Sequence, residues 1–176
     1  MELNIYTTFE TSLYNSLVAI FNELSTDCKV IFANQNGPEP KGTYCTINVI
    51  NITPIGMAQT DNGLLQFVGG SLPQYSTRQY ETLSTLTFYG KRSAEVAMDL
   101  FSQMSGNTRV TECFLRQKLA QRRTSTFRRT PQLRETTWVD SYAFDMTLGW
   151  SVQTAQNMDW ADYTRVNGNL VPLNPS

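Results

Sequence analysis

The alternation that decides the fold runs from Trp138 to Val152 and reads WVDSYAFDMTLGWSV. Every even-numbered residue in it except Asp140 is apolar or aromatic, whereas the odd-numbered residues are smaller or more polar. Because successive residues of a strand point to opposite faces, this stretch is predicted to be a long strand that is buried on one side. We expect its aromatic face to pack in a core rather than to line a ligand pocket.

Helical spacing occurs in two places before this strand. Apolar residues recur at intervals of three and four over residues 9–24, after a capping box formed by Thr7 and Glu10. A second helix is predicted to begin at Ser93 and to end before Gly106. Both helices are amphipathic, so we expect each to lay an apolar stripe across a sheet.

The other regular stretches favour strands. Residues 28–33, 43–53 and 76–89 are rich in β-branched and aromatic residues. Residues 108–120 fit a third short helix or a strand. This order of elements predicts an α+β domain, with a mainly antiparallel sheet and two or three helices packed on one face.

The length of 176 residues suits one domain. We predict that this domain covers residues 1–155, with a projecting arm at about 54–75 and a C-terminal tail over 156–176. No stretch approaches the ~18 apolar residues of a spanning helix, and the start does not read as a signal peptide. We therefore expect no membrane partner and assembly in a cytoplasm.

The composition excludes several catalytic chemistries. The chain has no histidine, so Ser-His and Cys-His catalysis and His-ligated metal sites are absent. Its three cysteines lie far apart, without the Cys-x-x-Cys spacing of a zinc site, and are expected to be free thiols. Asp140 and Asp145 point to opposite faces of a strand and are expected to be solvated surface acids. We predict no enzyme activity, no catalytic residue, no cofactor and no metal.

Half of the basic residues lie in one stretch. Residues 116–134 hold seven of the 14 Lys and Arg and none of the 15 Asp and Glu, so the rest of the chain has a net charge of −8. This stretch is expected to be a solvated loop, a loop docked on an acidic protein such as an identical subunit, or a contact with DNA phosphates. Its single aromatic residue, Phe127, does not suit a base-stacking platform. The candidate contact residues are Arg116, Lys118, Arg122, Arg123, Arg128, Arg129 and Arg134.

A second candidate contact is the loop NQNGPEPKG at residues 34–42. Its two prolines remove amide donors, so no strand ladder can cross it. Proline-rich segments are also pre-ordered and lose little entropy on binding. Pro38 and Pro40 are therefore candidate interface residues, with a simple turn as the alternative.

The order of these landmarks resembles that of phage neck or tail terminator proteins. The landmarks are the first helix, VIFANQNGPEP at 30–40 leading into YCTI at 44–47, the helix start at 93–95, and WVDSYAFD at 138–145 entering the last long strand. The resemblance extends over roughly residues 8–153, and it depends on order and spacing more than on any one residue.

The resemblance implies a structural virion protein of the tail or neck, without catalytic residues. Such proteins form a ring, usually hexameric, on the head-proximal end of the tail tube, where they stop tube polymerisation and join the head. The implied partners are copies of the chain itself, the tail tube protein, the head-proximal connector or neck protein, and phage DNA in passing contact. The alternative function is a nucleic-acid-binding adaptor that uses residues 116–134.

Overall fold

The computed structural model describes residues 5–33, 35, 37–61, 71–134, 136–159, 163–166 and 169–172. The helices are α1 (Ile5–Glu23), α2 (Ser93–Gln103) and α3 (Thr108–Arg116). The strands are β1 (Lys29–Phe32), β2 (Tyr44–Asp61), β3 (Ser71–Tyr89), β4 (Ala120–Thr124), β5 (Arg128–Arg129), β6 (Gln132–Arg134), β7 (Thr137–Val139), β8 (Ser141–Asp159), β9 (Tyr163–Val166) and β10 (Asn169–Pro172).

The largest sheet is mainly antiparallel. Its strands lie in the order β1-β2-β3-β8-β4, and β5 also pairs with β8. β1 runs parallel to β2, whereas β4 and β5 run antiparallel to β8. Thr46 Oγ1 donates to Thr87 O at 3.3 Å, and Leu83 N donates to Asn51 Oδ1 at 3.3 Å, so the contacts between β2 and β3 follow an antiparallel order. The predicted α+β class is confirmed.

Helices α1 and α2 cover one face of this sheet. Phe21 of α1 meets Phe88 of β3 edge-on, with 6.4 Å between the ring centroids, and Phe101 of α2 meets Phe144 of β8 at 5.3 Å. Phe88 and Phe144 stack on each other at 5.9 Å, so rings from both helices share one sheet surface. The buried core includes Phe9, Leu13, Leu17, Ile20, Ile47, Leu86, Leu100, Phe114 and Leu119.

The stretch that fitted either a helix or a strand forms α3, which packs against α1. Asn107 caps it, since its side chain accepts a hydrogen bond from Arg109 N at 2.9 Å. Val110, Cys113 and Phe114 follow at helical spacing and are buried. The cap and the apolar spacing agree, and together they favour a helix over a strand.

The even-numbered residues of β8 from Phe144 to Trp150 are buried as predicted. The expectation that only this side is buried is wrong, because Thr147 and Gly149 on the other side are buried as well. The predicted burial is also wrong at Trp138, whose side chain is 68% exposed. The chain changes pairing partner at Asp140: β7 before it pairs with β6, and β8 after it joins the large sheet. The alternation in the sequence therefore continues across Asp140, although the chain before this residue does not belong to the large sheet.

The basic stretch was expected to be a loop, and this is wrong for much of its length. β4 and β5 both lie along β8, with Thr124 opposite Met146 and Arg128 opposite Ala143. Between the two strands, Ser125 N donates to Asp145 O at 2.8 Å. The charged side chains are tolerated in strands because this is the edge of the sheet, where they can reach solvent.

Residues 1–55 and 79–151 form one compact unit, and residues 56–78 and 152–176 form a second. In the second unit, β9 pairs antiparallel with β10. The region after residue 158 therefore includes a short hairpin, although its sequence lacks periodicity. The middle of the predicted arm, residues 62–70, lies outside the described residues, and the division into a 1–155 domain and a 156–176 tail stays a prediction.

Candidate interaction surface

The end of α3 directs the basic stretch onto the sheet edge. Arg116 is the last residue of the helix, and Lys118 follows in the left-handed region, with φ of 59°. Leu119 is buried and fixes the chain at this turn. A non-glycine residue in this region is uncommon, and here it reverses the chain so that β4 begins beside Gly149 of β8.

β4 carries two exposed arginines, Arg122 and Arg123. The pairing of β4 with β8 shifts between Gln121 and Arg123, so Arg122 occupies a β-bulge. The guanidinium group of Arg122 lies against Gly149, where a side chain would occupy the same space. The bulge and the glycine together determine where this positive charge is held.

Arg128 forms an ion pair with Asp145 of the same chain. Its two terminal guanidinium nitrogens each donate to a different oxygen of the Asp145 carboxylate at 2.8 Å. Thr85 Oγ1 donates to the same carboxylate at 2.6 Å, and Asp145 N donates to Ser125 Oγ at 2.7 Å. The hydrogen bonds from Arg128 lower the pKa of Asp145, and the same hydrogen bonds raise the pKa of Arg128.

Arg129 pairs with Asp140, to whose Oδ1 atom its Nε donates at 3.0 Å. Both side chains of this pair are exposed, so its contribution to stability is small. Asp140 is thus an exposed surface acid, as predicted, although it pairs with an arginine. The same prediction is wrong for Asp145, whose side chain is only 23% exposed and is held by Arg128. The partners are 11 and 17 residues apart in the chain, so neither pair can be recognised from the sequence alone.

The other basic candidates are bound more loosely. Arg116 reaches Glu112, one helical turn away, only at 3.8 Å, and both side chains are exposed. Lys118, Arg122 and Arg123 have no ion-pair partner within the residues that the structure describes. We refer to these three residues as the β4 cations. The side chain of Arg134 lies outside the described part of the chain.

Pro38 and Pro40 line a groove of about 410 Å³. Tyr44 and Tyr89 stack in it with 5.1 Å between their ring centroids. Tyr44 Oη donates to Glu39 Oε1 at 2.6 Å, which connects the proline loop to β2. Tyr89 follows Phe88 in β3 and therefore points away from the helices. The groove thus opens on the other side of the sheet from the core.

The sequence of residues 11–170 matches a family described as phage neck terminator protein. The chain belongs to this family. A comparison with curated protein sequences found no match. Neck terminators are structural proteins of the phage neck and tail, where they interact with other tail and head proteins.

In this neck terminator, the described residues contain no group of three His, Cys, Asp or Glu that could hold a metal ion. None of its described helices has the length and apolar character needed to cross a bilayer. Cys28, Cys45 and Cys113 are free thiols, as predicted. Burial raises the pKa of the Cys28 thiol to about 12 and also raises the pKa values of Cys45 and Cys113.

Sequence reasoning missed one surface of the neck terminator. Leu133 of β6 lies directly opposite Trp138 of β7, and their side chains are 57% and 68% exposed. The two residues form an apolar pair on a two-stranded hairpin outside the large sheet. Trp138 was assigned to the core by its parity with β8, and Leu133 stood inside a stretch noted for its charge. Only the pairing of β6 with β7 brings them together.

Proposed function

We propose that this neck terminator forms a ring, with six subunits as the resemblance implies, on the head-proximal end of the tail tube. There it stops polymerisation of the tube and provides the surface that joins the head connector. It is assembled in the host cytoplasm, becomes part of the virion and catalyses no reaction. Membership of the terminator family supports the structural role.

The proposed subunit contact rests on one observation, the exposed charges of the β4 cations. Arg128 and Arg129 use their charges within the chain, whereas Lys118, Arg122 and Arg123 are exposed and lack ion-pair partners among the described residues. A ring needs two different patches on each subunit, one meeting the other on its neighbour. Three cations on a chain that is otherwise acidic provide one such patch, and complementary charge favours correct docking.

The candidate contact residues therefore divide into two groups. Arg116, Lys118, Arg122, Arg123 and Arg134 are proposed to meet an acidic surface on the next subunit or on the tube end. Arg128 instead holds β5 against β8 through Asp145, and Arg129 pairs with Asp140 just before β8. Pro38 and Pro40 form part of a second contact, through the groove that they line. Residues 1–155 act as the terminator domain, with residues 54–75 as an arm that embraces a neighbour and 156–176 as a tail.

The test replaces Lys118, Arg122 and Arg123 together with Gln in phage whose own copy is deleted. We expect tails of uncontrolled length and few joined particles in negative-stain images, because the charged contact is lost. The matched control replaces Lys91, Arg92 and Arg109, which are also exposed, with Gln. Normal tail length with the β4 variant, or equal defects with the control, would contradict a specific role of the β4 cations. Purified wild-type chain that never caps tubes would contradict the terminator function.

A nucleic-acid-binding adaptor is the second candidate. The same three cations could meet DNA phosphates, but Phe127 stacks on Tyr142 at 5.8 Å and contacts Phe101 at 6.0 Å, so its ring is engaged within the protein. Anisotropy of a labelled duplex, titrated with salt, separates the candidates. Tight binding with a steep salt dependence, lost in the β4 variant, would favour the adaptor.

A further inference from the structure

The β6–β7 hairpin exposes more apolar surface than its size explains. Each strand has three residues, and the pair stands apart from the large sheet. Isolated two-stranded hairpins are marginally stable, so an exposed Leu133 beside an exposed Trp138 brings the monomer little benefit. Adjacent large apolar residues on a surface mark contact sites, and tryptophan is enriched among the residues that dominate binding energy.

The two faces of this hairpin do different things. Neighbouring strand residues point to opposite faces, so the face with Gln132 and Val139 lies behind the face with Leu133 and Trp138. Gln132 Oε1 accepts a hydrogen bond from Tyr89 Oη at 3.3 Å and lines the 410 Å³ groove. The inner face of the hairpin therefore borders the groove through Gln132, and its outer face presents the apolar pair.

Part of the groove is apolar and can receive an apolar pair. Ile31, Pro38 and Pro40 line this apolar part, and the stacked ring of Tyr89 adds an aromatic surface. Other residues of the lining are polar and include Glu39, Thr46 and Gln132. The groove volume of about 410 Å³ falls within the range of sites that bury small organic molecules, so an indole ring can enter it. Asp140, two residues after Trp138, forms an exposed ion pair with Arg129, and charged groups of this kind are usual at the rim of such contacts.

We propose that the Leu133–Trp138 face of one copy docks in the groove of a second copy. The pair and the groove lie on opposite sides of one hairpin, so the contact joins unlike surfaces and repeats head to tail. Head-to-tail contacts close into rings when the rotation between subunits permits. This contact rests on the proposed ring and gives it an apolar centre, with the β4 cations as a separate charged contribution.

The first experiment uses two variants of the full chain. The outer-face variant carries Leu133→Ser and Trp138→Ser, and the groove variant carries Pro38→Glu and Pro40→Glu. The matched control is Met98→Gln, which removes an apolar side chain of similar exposure (49%) from α2. Light scattering after size exclusion measures assembly, and circular dichroism verifies the fold. We expect each variant, but not the control, to require at least about 30-fold more protein for half assembly, as the loss of a dominant contact residue does.

Mixing the two variants is the decisive measurement. The groove variant keeps its Leu133–Trp138 face, and the outer-face variant keeps its groove, so one intact contact forms between them and no further one. We expect a heterodimer and nothing larger at concentrations where each variant alone is monomeric. A mixture of folded variants that stays monomeric, or that forms full rings, would overturn the proposed contact.

A second readout needs only wild-type chain and Trp138→Phe. Acrylamide quenching of the fluorescence assigned to Trp138, by difference between these two proteins, is expected to fall on assembly. Unchanged quenching in assembled wild-type rings overturns the docking of Trp138. Wild-type rings on tubes combined with equally good rings from the outer-face variant overturn this contact alone and leave the terminator function standing. Wild-type protein that remains monomeric both in solution and with tubes overturns the contact and the ring together.

Discussion

Arg128 holds Asp145 through both terminal nitrogens of its guanidinium group, each 2.8 Å from a carboxylate oxygen. The two residues join β5 to β8 across a separation of 17 residues, and Thr85 adds a hydrogen bond from β3. Part of the basic stretch therefore attaches the edge strand β5 to β8. A charge count alone would treat all seven cations as equivalent, and this pairing separates them.

Replacing Asp145 with Asn is expected to destabilise the fold by about 1.5 kcal/mol at pH 7, because Arg128 loses a charged bidentate partner that is partly solvated. The pKa of Asp145 is lowered in the folded chain, so its carboxylate contributes fully above the unfolded value of about 3.9. That contribution disappears as the pH falls through the lowered folded pKa. Urea unfolding at pH 7 and at pH 3 measures the difference, which should shrink at the lower pH.

The control for this prediction is Glu112→Gln, which removes the exposed partner of Arg116 at 3.8 Å. A pair of that kind contributes little, so we expect less than about 0.5 kcal/mol. Equal losses in the two variants would mean that the geometry at Asp145 adds nothing to a simple loss of charge.

The sequence predicts the core better than the edges. Alternation from Phe144 to Trp150 and helical spacing in α1 identify buried residues correctly. Buried positions recur every two residues in a strand and every three or four in a helix, so a short stretch of sequence is enough to locate them. The pairs Arg128–Asp145 and Leu133–Trp138 could not be predicted in this way, since each depends on which strands become neighbours. The groove likewise combines a loop with β2 and β3, and it has no local signature beyond its prolines.

Gly90 is expected to tolerate no side chain. Its φ is +100°, and a Cβ there would collide with the backbone of Gly42, whose carbonyl carbon would lie at 3.0 Å. Gly42 has a similar φ of +93° but open space around it, so Gly42→Ala measures the backbone strain alone. We expect about 1–3 kcal/mol for Gly42→Ala and a clearly larger loss for Gly90→Ala, measured by urea unfolding. Similar losses would show that the collision relaxes freely.

The three thiols are expected to react slowly in the folded chain. Burial raises the pKa of Cys28 to about 12, and Cys45 and Cys113 are buried with raised pKa values. Only the thiolate attacks a disulfide reagent, so at pH 8 we expect Cys28 to react on the order of a thousandfold more slowly than a free cysteine. Cys45 and Cys113 are also expected to react more slowly than a free cysteine. Colorimetric thiol titration before and after unfolding in guanidinium checks this. Rapid titration of one native thiol would contradict the raised pKa of that thiol.

Gly149→Ala tests whether the position of Arg122 matters as well as its charge. A methyl group at 149 would meet the guanidinium of Arg122, which lies at the end of a flexible side chain and can move aside. We therefore expect less than about 1 kcal/mol loss of stability, since no backbone has to shift. Ring assembly should nevertheless weaken, because the guanidinium group of Arg122 keeps its charge but moves away from its position beside residue 149. Gly106→Ala, with open space around it, is the control.

In an Arg122→Gln background the effect of Gly149→Ala on assembly should vanish, since the two substitutions act through one side chain. An effect of the same size in that background would show that Gly149 acts on the ring by a route other than Arg122.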